Sequence, residues 1–506
     1  MNFKALLVAA LASAAGAAIV AACGGSDQDS IPVTQGMVIQ NATIVNTRDG
    51  SLLTGQSIVL DGGKIKLITS AALNVTAGTA TVVDGTGKYI VPGFLDMHTH
   101  AANSLAHPPG DFPVLLANGI TGVREASGSA ALIQTVHQQN ADVVAGKADA
   151  PEVLMMPSMI FAGQSPTDAG ARQFVRDRVA EGAEFIKITG GSPTAFLAAI
   201  DEAKKQGTTS AGHLSPAVSA LDASNAGYHS MEHLGSGVGL LLDCSTDQAN
   251  IRAALLANAL PPPPNAINPR LYDANVFGAY YQRIVDTYSE AQCQSLAKAF
   301  VANDTWQTVT LIRLRTQDYG NDASYRNDPN LQYVDKTRRA LWESVASQYD
   351  AIVTPAALTA LHNYYALQLK VVKTLKQNGV KMLAATDLGG GLVIPGFSLH
   401  QEFRELAAAG LSPLDILQMT TLNGAQFLGR EATMGTVEQG KNADLVLLDA
   451  NPIADSANLD KVSAVFLRGR YYPRGALDAL LSKVAAAYAS QQAQAISTAL
   501  DPTHPD

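Results

Sequence analysis

The chain has 506 residues, of which 47% are hydrophobic and 16% charged, and its formal net charge is −9. This composition excludes a disordered chain and allows a large buried core in more than one domain. The acidic balance and the lack of a long basic run argue against a nucleic-acid partner.

The first 23 residues have the pattern of a segment that is removed rather than folded. Lys4 precedes an uncharged run, Ala5–Ala22, which is rich in small residues and ends at Cys23. This order resembles a bacterial lipoprotein signal peptide, which implies lipidation of Cys23 and attachment to a membrane through that lipid. Gly24 after the cysteine favours the outer membrane, so we expect an exported chain that faces the periplasm. A plain secretory signal and a retained membrane helix are the alternatives.

Residues 24–36 are predicted to be a tether, and β structure is predicted from residue 37. Short apolar runs separated by Asp49-Gly50 and Asp61-Gly62-Gly63 are typical of hairpins. The same pattern returns over residues 434–474. We therefore expect a small β-sandwich domain built from both chain ends, residues 37–91 and 434–474, with a C-terminal helix and tail over 475–506.

Between these regions, residues 92–433 alternate short apolar runs with Ala-rich helical stretches. Eight strands are predicted near Leu95–His100, Gly119–Glu125, Val153–Ile160, Glu184–Thr189, Thr209–His213, Tyr228–Glu232, Trp306–Ile312 and Lys381–Thr386. Strands that alternate with helices in this way predict an α/β fold of the (β/α)8 TIM-barrel type.

One connection, residues 234–305, is too long for a simple crossover and is predicted to be an insert. It forms either a lid over the site or a surface decoration. The insert holds Cys244 and Cys293. In an exported protein these two can form a disulfide, and two buried free thiols are the alternative.

The first chemical signal is Asp96-Met97-His98-Thr99-His100. Residues i and i+2 of a strand point to the same side, so His98 and His100 project together. They do so at the carboxyl end of the first predicted barrel strand, where barrel enzymes keep their active sites. Two imidazoles suit a divalent transition metal, so the sequence predicts a metal site founded on this pair.

Two longer motifs carry a family resemblance. Residues 91–100, Val-Pro-Gly-Phe-Leu-Asp-Met-His-Thr-His, and the segment 435–449, which begins Gly-Thr-Val-Glu-Gln-Gly-Lys-Asn-Ala-Asp, resemble the amidohydrolase superfamily. Residues 117–124 and 182–188 are similar to its imidazolonepropionase-like and prolidase-like branch. The resemblance runs from about Met37 to Tyr472.

This resemblance implies further metal ligands at the ends of later strands, namely His213, His233 and Asp387. His98, His100 and Asp387 would hold the more buried of two divalent ions, expected to be zinc, and His213 and His233 the other. Lys187 ends the fourth strand among apolar neighbours, where a free ammonium is costly. The family implies that Lys187 is N6-carboxylated and bridges the ions. Exposure of Lys187 to solvent, or binding of an anionic substrate group, is the alternative.

The implied activity is metal-dependent hydrolysis of a C–N bond by a metal-bound hydroxide. Asp387 would act as general base and then acid, with His233 beside it. The expected substrate is a small molecule, a dipeptide or an N-acyl amino acid. Ester or lactone hydrolysis stays open. Deamination is disfavoured because Pro216 stands where such enzymes usually have a glutamate.

The sequence leaves open whether the chain is an enzyme and whether it forms an oligomer. A non-catalytic, surface-anchored binding protein is the alternative from another functional class. The chain can also form a homo-oligomer.

Arg124, His107 and Tyr228 are weaker candidates for substrate contacts. Arg124 ends the second predicted strand, where a guanidinium can bind a substrate carboxylate or form a structural ion pair. His107 lies in the loop after the first strand, and Tyr228 begins the sixth and can be part of the core. Glu402, on a predicted helix after the eighth strand, is expected to support the site or lie at the surface.

Overall fold

The computed structural model describes residues 30–258 and 267–491, except residues 77 and 79. The predicted signal segment with Cys23, most of the predicted tether and the end of the C-terminal tail lie outside these residues. No described helix is long and apolar enough to cross a membrane.

The N-terminal part of the described chain is made of strands. These are β1 Ile31–Val33, β2 Gly36–Val45, β3 Leu52–Asp61, β4 Lys64–Thr69, β5 Leu73–Val75, β6 Ala80–Asp84 and β7 Tyr89–Pro92. The hairpin between β3 and β4 turns at Gly62 and Gly63, whose φ angles of 56° and 73° suit glycine. β1 pairs with β5 in a small separate sheet, so strand structure begins within the segment predicted to be a tether.

The middle of the chain supplies short parallel strands. These are β8 Phe94–Thr99, β9 Ile120–Glu125, β10 Glu152–Met155, β11 Phe161–Ala162, β12 Phe185–Gly190, β13 Thr209–Gly212, β14 Ser230–Glu232, β15 Trp306–Thr308 and β16 Met382–Leu383. They pair in the orders β10-β9-β8 and β11-β12-β13-β14-β15-β16.

Backbone hydrogen bonds join the two groups of parallel strands at both ends. The N–H of Glu184 donates to the carbonyl of Met156 at 3.0 Å, and the N–H of Met97 donates to the carbonyl of Ala384 at 3.2 Å. This α/β arrangement is consistent with a TIM-barrel-like domain.

Helices connect the parallel strands and cover them. They are α1 Phe112–Ala117, α2 Ala130–Val144, α3 Asp168–Ala180, α4 Pro193–Lys205, α5 Ala220–Ala226, α6 Gln248–Ala257, α7 Arg270–Asp286, α8 Glu290–Ala302, α9 Leu311–Asp318, α10 Ala323–Arg326, α11 Lys336–Ile352, α12 Pro355–Gln377, α13 Phe397–Ala408, α14 Pro413–Met419, α15 Leu422–Phe427 and α16 Arg474–Ser490. The predicted insert contains α6, α7 and α8, and a disulfide joins Cys244 to Cys293 of α8.

Three predicted strands differ in extent from the observed ones. The third is divided into β10 and β11. The seventh was expected to reach Ile312 but ends at Thr308, because Thr310 adopts a left-handed φ of 44° and α9 begins at the next residue. The eighth shortens to two paired residues, since the chain leaves the ladder before Asp387.

Strands from the C-terminal part of the chain join the sheet that contains β2, β3, β4, β6 and β7. β17 Leu445–Leu448, β18 Val462–Leu467 and β19 Arg470–Pro473 give the order β19-β18-β17-β7-β2-β3-β4, with β6 on β2. Ile90 of β7 lies opposite Leu447 of β17. The two chain ends therefore share one eight-stranded sheet, while its closure into a two-layered sandwich stays a prediction.

Candidate metal centre

Five of the predicted ligands converge at the carboxyl ends of the parallel strands. His98 lies in β8, His100 follows it, His213 follows β13 and His233 follows β14, while Asp387 lies beyond β16. None of the five is more than 8% exposed. Ligand atoms of His98, His233 and Asp387 all lie within 4.8 Å of one another. The ring centroid of His233 is 5.2 Å from that of His213.

The carboxylate of Asp387 lies at the centre of this group. Its Oδ1 is 3.2 Å from His98 Nε2 and 3.3 Å from His100 Nε2. Its Oδ2 is 3.9 Å from His233 Nε2 and 3.0 Å from Arg313 Nε.

Three of the imidazoles are fixed from outside the centre through Nδ1. The partners are Glu232 Oε2 for His98 at 2.6 Å, Ser127 Oγ for His100 at 2.7 Å and Thr310 Oγ1 for His233 at 2.5 Å. The carboxylate of Glu232 only accepts, so Nδ1 of His98 carries a proton and Nε2 is the ring nitrogen that faces Asp387. Metal-ligating histidines are typically oriented in this way.

His213 provides a test of whether these residues fit a metal ion. Its Nε2 is buried and has no hydrogen-bond partner among the described residues. Burial, with the Lys187 ammonium adding to it, lowers the pKa of His213 well below its usual value. Burial likewise lowers the pKa of His233, although Asp387 opposes it. Neutral imidazoles with inward lone pairs are the form that binds a metal, so the donor set fits.

Lys187 is also part of this group. It lies in β12, its side chain is buried, and its Nζ is 3.2 Å from His98 Nε2. The alternative in which Lys187 reaches solvent is therefore wrong. The structure brings this side chain to the place where a bridging ligand is predicted.

Arg124 forms a buried structural ion pair, which is the alternative to a substrate contact that its sequence position left open. Its guanidinium is buried, with Nη2 2.8 Å from Glu232 Oε2 and Nε donating to the carbonyl of Met97 at 2.6 Å. Burial would raise the pKa of Glu232, but Arg124 and His98 hold it well below its usual value. Arg124 is thus the counter-ion of the carboxylate that orients His98.

Of the other two candidates for substrate contacts, Tyr228 is part of the core and His107 lies at the surface, and the sequence analysis left both positions open. Tyr228 is buried, and its hydroxyl donates toward the carbonyls of Ile188 at 3.0 Å and His213 at 3.1 Å, so it supports the backbone beside a ligand. His107 is exposed and lies at the end of a short 3-10 helix that follows His100. It is not among the residues that converge on Asp387.

The sequence did not indicate that three further residues contact the predicted ligands, namely Glu232, Thr310 and Arg313. Alternation along a strand places adjacent side chains on opposite faces, so it gives no indication that Glu232 and His233 serve one site. His233 has a φ of 54°, which turns the chain out of the strand and lets both side chains reach His98. Asp387, with a φ of 57°, is a second non-glycine residue in this uncommon conformation.

Comparisons with known proteins agree with this chemistry. A model of the Amidohydrolase family matches residues 355–471. The fold is similar to that of a candidate prolidase from Bifidobacterium longum, at 21% identity and a TM-score of 0.61 over 90% of this chain and all of that one. It is also similar to bottromycin amidohydrolase, at 19% identity and a TM-score of 0.63 over 89% of this chain and 90% of that one.

A third similar structure is that of a Xaa-Pro dipeptidase, at 18% identity and a TM-score of 0.59, covering 86% of this chain and 99% of that one. At these identities the likeness concerns the fold. The family model matches residues 355–471 and the similar structures share the fold, so the chain resembles amidohydrolases.

Curated relatives match over short segments. An adenine deaminase from Rubrobacter xylanophilus is 36% identical over 74 residues, which are 15% of this chain and 12% of that protein. A dihydroorotase from Thermoanaerobacter is 44% identical over 64 residues, which are 13% of this chain and 14% of that protein. The chain thus spans less than a fifth of the length of these relatives.

Proposed function

We propose that the chain is a binuclear metal-dependent amidohydrolase that cleaves the C–N bond of a dipeptide or an N-acyl amino acid. The observation that carries the proposal is the convergence of buried imidazoles on Asp387, with their Nδ1 atoms held from outside. The dipeptidase and amidohydrolase among the similar structures support the substrate class. The proposal takes the parallel strands as a (β/α)8 barrel with its site at the carboxyl ends.

The ligands divide into two sets in this proposal. His98, His100 and Asp387 would hold one ion and His213 and His233 the other, with zinc suited to such nitrogen and oxygen donors. When bound, the ions supply a lowered pKa for a water molecule and polarisation of the scissile carbonyl.

Lys187 would complete the site as a carbamate. A buried ammonium 3.2 Å from a metal-ligating nitrogen would repel the ions. Reaction of the neutral amine with carbon dioxide forms an N–C bond and releases a proton, which leaves an anion with two oxygens. Such an anion would supply oxygen donors for the ions in place of a repelling positive charge.

Asp387 is the group placed to move protons. Water adds through its oxygen to the carbonyl carbon, and the carboxylate accepts the proton that the water loses. Asp387 then delivers this proton to the leaving nitrogen as the C–N bond breaks. Its position between His98, His100 and His233 supports this role.

Deamination of a nucleobase is the second candidate, favoured by the short matches to adenine deaminases. Pro216 at the position of the usual glutamate and the buried Lys187 argue against it. Ester and lactone hydrolysis use the same chemistry with an oxygen leaving group.

The test is an assay of the zinc-loaded full chain against dipeptides, N-acyl amino acids, lactones and adenine. We expect amide hydrolysis that is lost in Asp387→Asn, while the exposed variant Asp478→Asn serves as the control for loss of a carboxylate. Ammonia release from adenine alone would support the deaminase. A metal-loaded protein that turns over none of these compounds would contradict the proposed substrate class.

We also propose that the chain is exported and anchored through a lipid on Cys23, facing the periplasm from the outer membrane. This rests on the order of Lys4, the uncharged run and Cys23. Mass spectrometry of the N-terminal peptide after detergent extraction should find Cys23 as a lipidated first residue. Cys23→Ser should abolish both the lipid and the membrane attachment, and an unprocessed N-terminus in the parent chain would contradict the proposal.

A further inference from the structure

Arg313, near the start of α9, is a cation that no step of the proposed reaction uses. Its side chain is fully buried, its Nε donates to Asp387 Oδ2 at 3.0 Å, and its Nη1 donates to the carbonyl of Ile267 at 2.8 Å. A guanidinium is always charged, and its positive charge opposes a metal ion held by the same carboxylate. Arg313 must therefore have a role other than stabilising a bound metal ion.

The loop after Asp387 is shaped around this side chain. A Cβ on Gly390 would lie 2.6 Å from both Cζ and Nε of Arg313. The φ of Gly390 is not positive, so the residue is required for space and not for its backbone conformation.

The neighbouring glycines also make close approaches. A Cβ on Gly389 would lie 3.0 Å from the Cβ of His100, and a Cβ on Gly391 would lie 2.7 Å from the carbonyl oxygen of Ile267. The carbonyl of Ile267 also accepts the N–H of Gly391 at 3.1 Å. The insert residue Ile267 and the glycine loop thus hold the guanidinium on two sides.

We infer that Arg313 is a positioning residue that fixes the orientation of the Asp387 carboxylate, with Gly390 providing the space it occupies. The terminal torsion of an aspartate is broad and roughly two-fold. A donor on Oδ2 selects one orientation, which leaves Oδ1 toward His98 and His100. The inference rests on the proposed function, because it concerns the residue that holds a metal ion and moves the proton.

A positioning role differs measurably from binding of a substrate anion. Loss of orientation at Asp387 lowers kcat and leaves KM nearly unchanged. Loss of a substrate contact raises KM, most for substrates with a free carboxylate. A misplacement of about 1 Å costs on the order of 100-fold in rate, so Arg313→Ala should lower kcat about 100-fold.

The experiment is chemical rescue with guanidinium. Arg313→Ala leaves a space the size of the lost group, and guanidinium chloride at non-denaturing concentration should restore kcat at least about ten-fold, on the scale of that loss. Sodium chloride at the same concentration should not. In Arg313→Ala/Gly390→Ala the added methyl occupies that space, so rescue should be absent. Gly390→Ala alone should displace the guanidinium and lower kcat in a chain that keeps its arginine.

A second readout does not depend on turnover. The visible absorption of cobalt bound to the protein reports the ligand geometry, and it should change in Arg313→Ala and return with guanidinium only where Gly390 is present. Cobalt stoichiometry should stay at the parent value in all variants.

The outcomes separate this inference from the proposed function. A parent chain that binds no cobalt would overturn both. A parent chain that binds cobalt and hydrolyses amides, with an unchanged spectrum and kcat in Arg313→Ala, would overturn only the role of Arg313. Equal rescue of Arg313→Ala and Arg313→Ala/Gly390→Ala by guanidinium would also overturn the role of Arg313. So would a rise in KM with no change in kcat.

Discussion

At the scale of single residues, the proposed binuclear site depends on Lys187. It is buried in β12 beside His98 Nε2, and the proposed carbamate is the only bridging anion that this side chain can supply. We expect Lys187→Ala to lose one of the two proposed ions and most of the activity, which metal analysis after zinc loading will measure.

The matched control for this change is Lys381→Ala, which removes an exposed lysine that pairs with Asp304. It should keep the metal content and the activity of the parent chain. Full zinc content in Lys187→Ala would contradict the bridging role.

The pair His98 and His100 was predictable from strand geometry. The family resemblance added His213, His233 and Asp387, and neither source indicated the partners of these side chains. Arg313 lies in a segment whose first two residues, Leu311 and Ile312, were assigned to a strand. Its contact with Asp387 depends on how α9 packs, which is a tertiary property that no local pattern contains.

At the scale of secondary structure, α9 connects the centre to the helices around it. Thr310 before its first turn contacts His233, and Arg313 contacts Asp387. At its other end, Asp318 forms a buried ion pair with Arg270 of α7 at 2.7 Å. The carboxylate of Glu402 in α13 accepts the N–H of Ile312 at 2.6 Å, so this helix is held at both ends.

Glu402, which holds the start of α9, is expected to make the free energy of unfolding depend on pH. Burial raises its pKa from 4.5 to about 8, against the backbone donors of Ile312 and Leu311 that lower it. Between these values the folded chain keeps a proton that the unfolded chain has released, so the free energy of unfolding falls as the pH rises. The slope is at most about 1.4 kcal/mol per pH unit.

Urea denaturation at a series of pH values will measure this effect. Glu402→Gln keeps an acceptor for Ile312 but does not titrate, so its stability should fall less between pH 5 and about 8 than that of the parent chain. Glu431→Gln, at an exposed position, controls for the loss of one negative charge. Parallel pH profiles for Glu402→Gln and the parent chain would contradict the prediction.

The insert has its own covalent constraint. The disulfide between Cys244 and Cys293 closes a segment with a sequence separation of 49 residues. A cross-link of this length stabilises a fold by about 2–4 kcal/mol, mainly by restricting the unfolded chain. Cys244→Ala/Cys293→Ala should lower the free energy of unfolding by this amount in urea. An unchanged unfolding midpoint after reduction of the parent chain would contradict it.

At the scale of the whole molecule, the eight-stranded sheet joins the two ends of the chain. Leu447 of β17 is buried between Ile90 of β7 and Ala464 of β18. Leu447→Ala should lower the free energy of unfolding by about 2–5 kcal/mol, because it leaves a cavity in this joint. Leu53→Ala in β3, at a side chain that is 48% exposed, is the control and should cost far less in the same urea titration.

The general architecture could be predicted from the alternation of apolar runs with helical stretches. The exact ends of the strands could not. The pairing of strands from both chain ends and the order of strands and helices agree with the prediction. β16 has only two paired residues, Met382 and Leu383, because the segment that follows bends toward the centre. An apolar run indicates which residues are buried. It does not show where strand pairing ends, because buried residues continue beyond the last paired one.

The shared sheet also has a consequence for the order of synthesis. A ribosome releases β2 and β7 early, yet Ile90 meets its antiparallel neighbour only when Leu447 has emerged. Until then β7 carries an unpaired edge, which is a template for association with other chains. We therefore expect a product truncated before β17 to be found in aggregates or degraded.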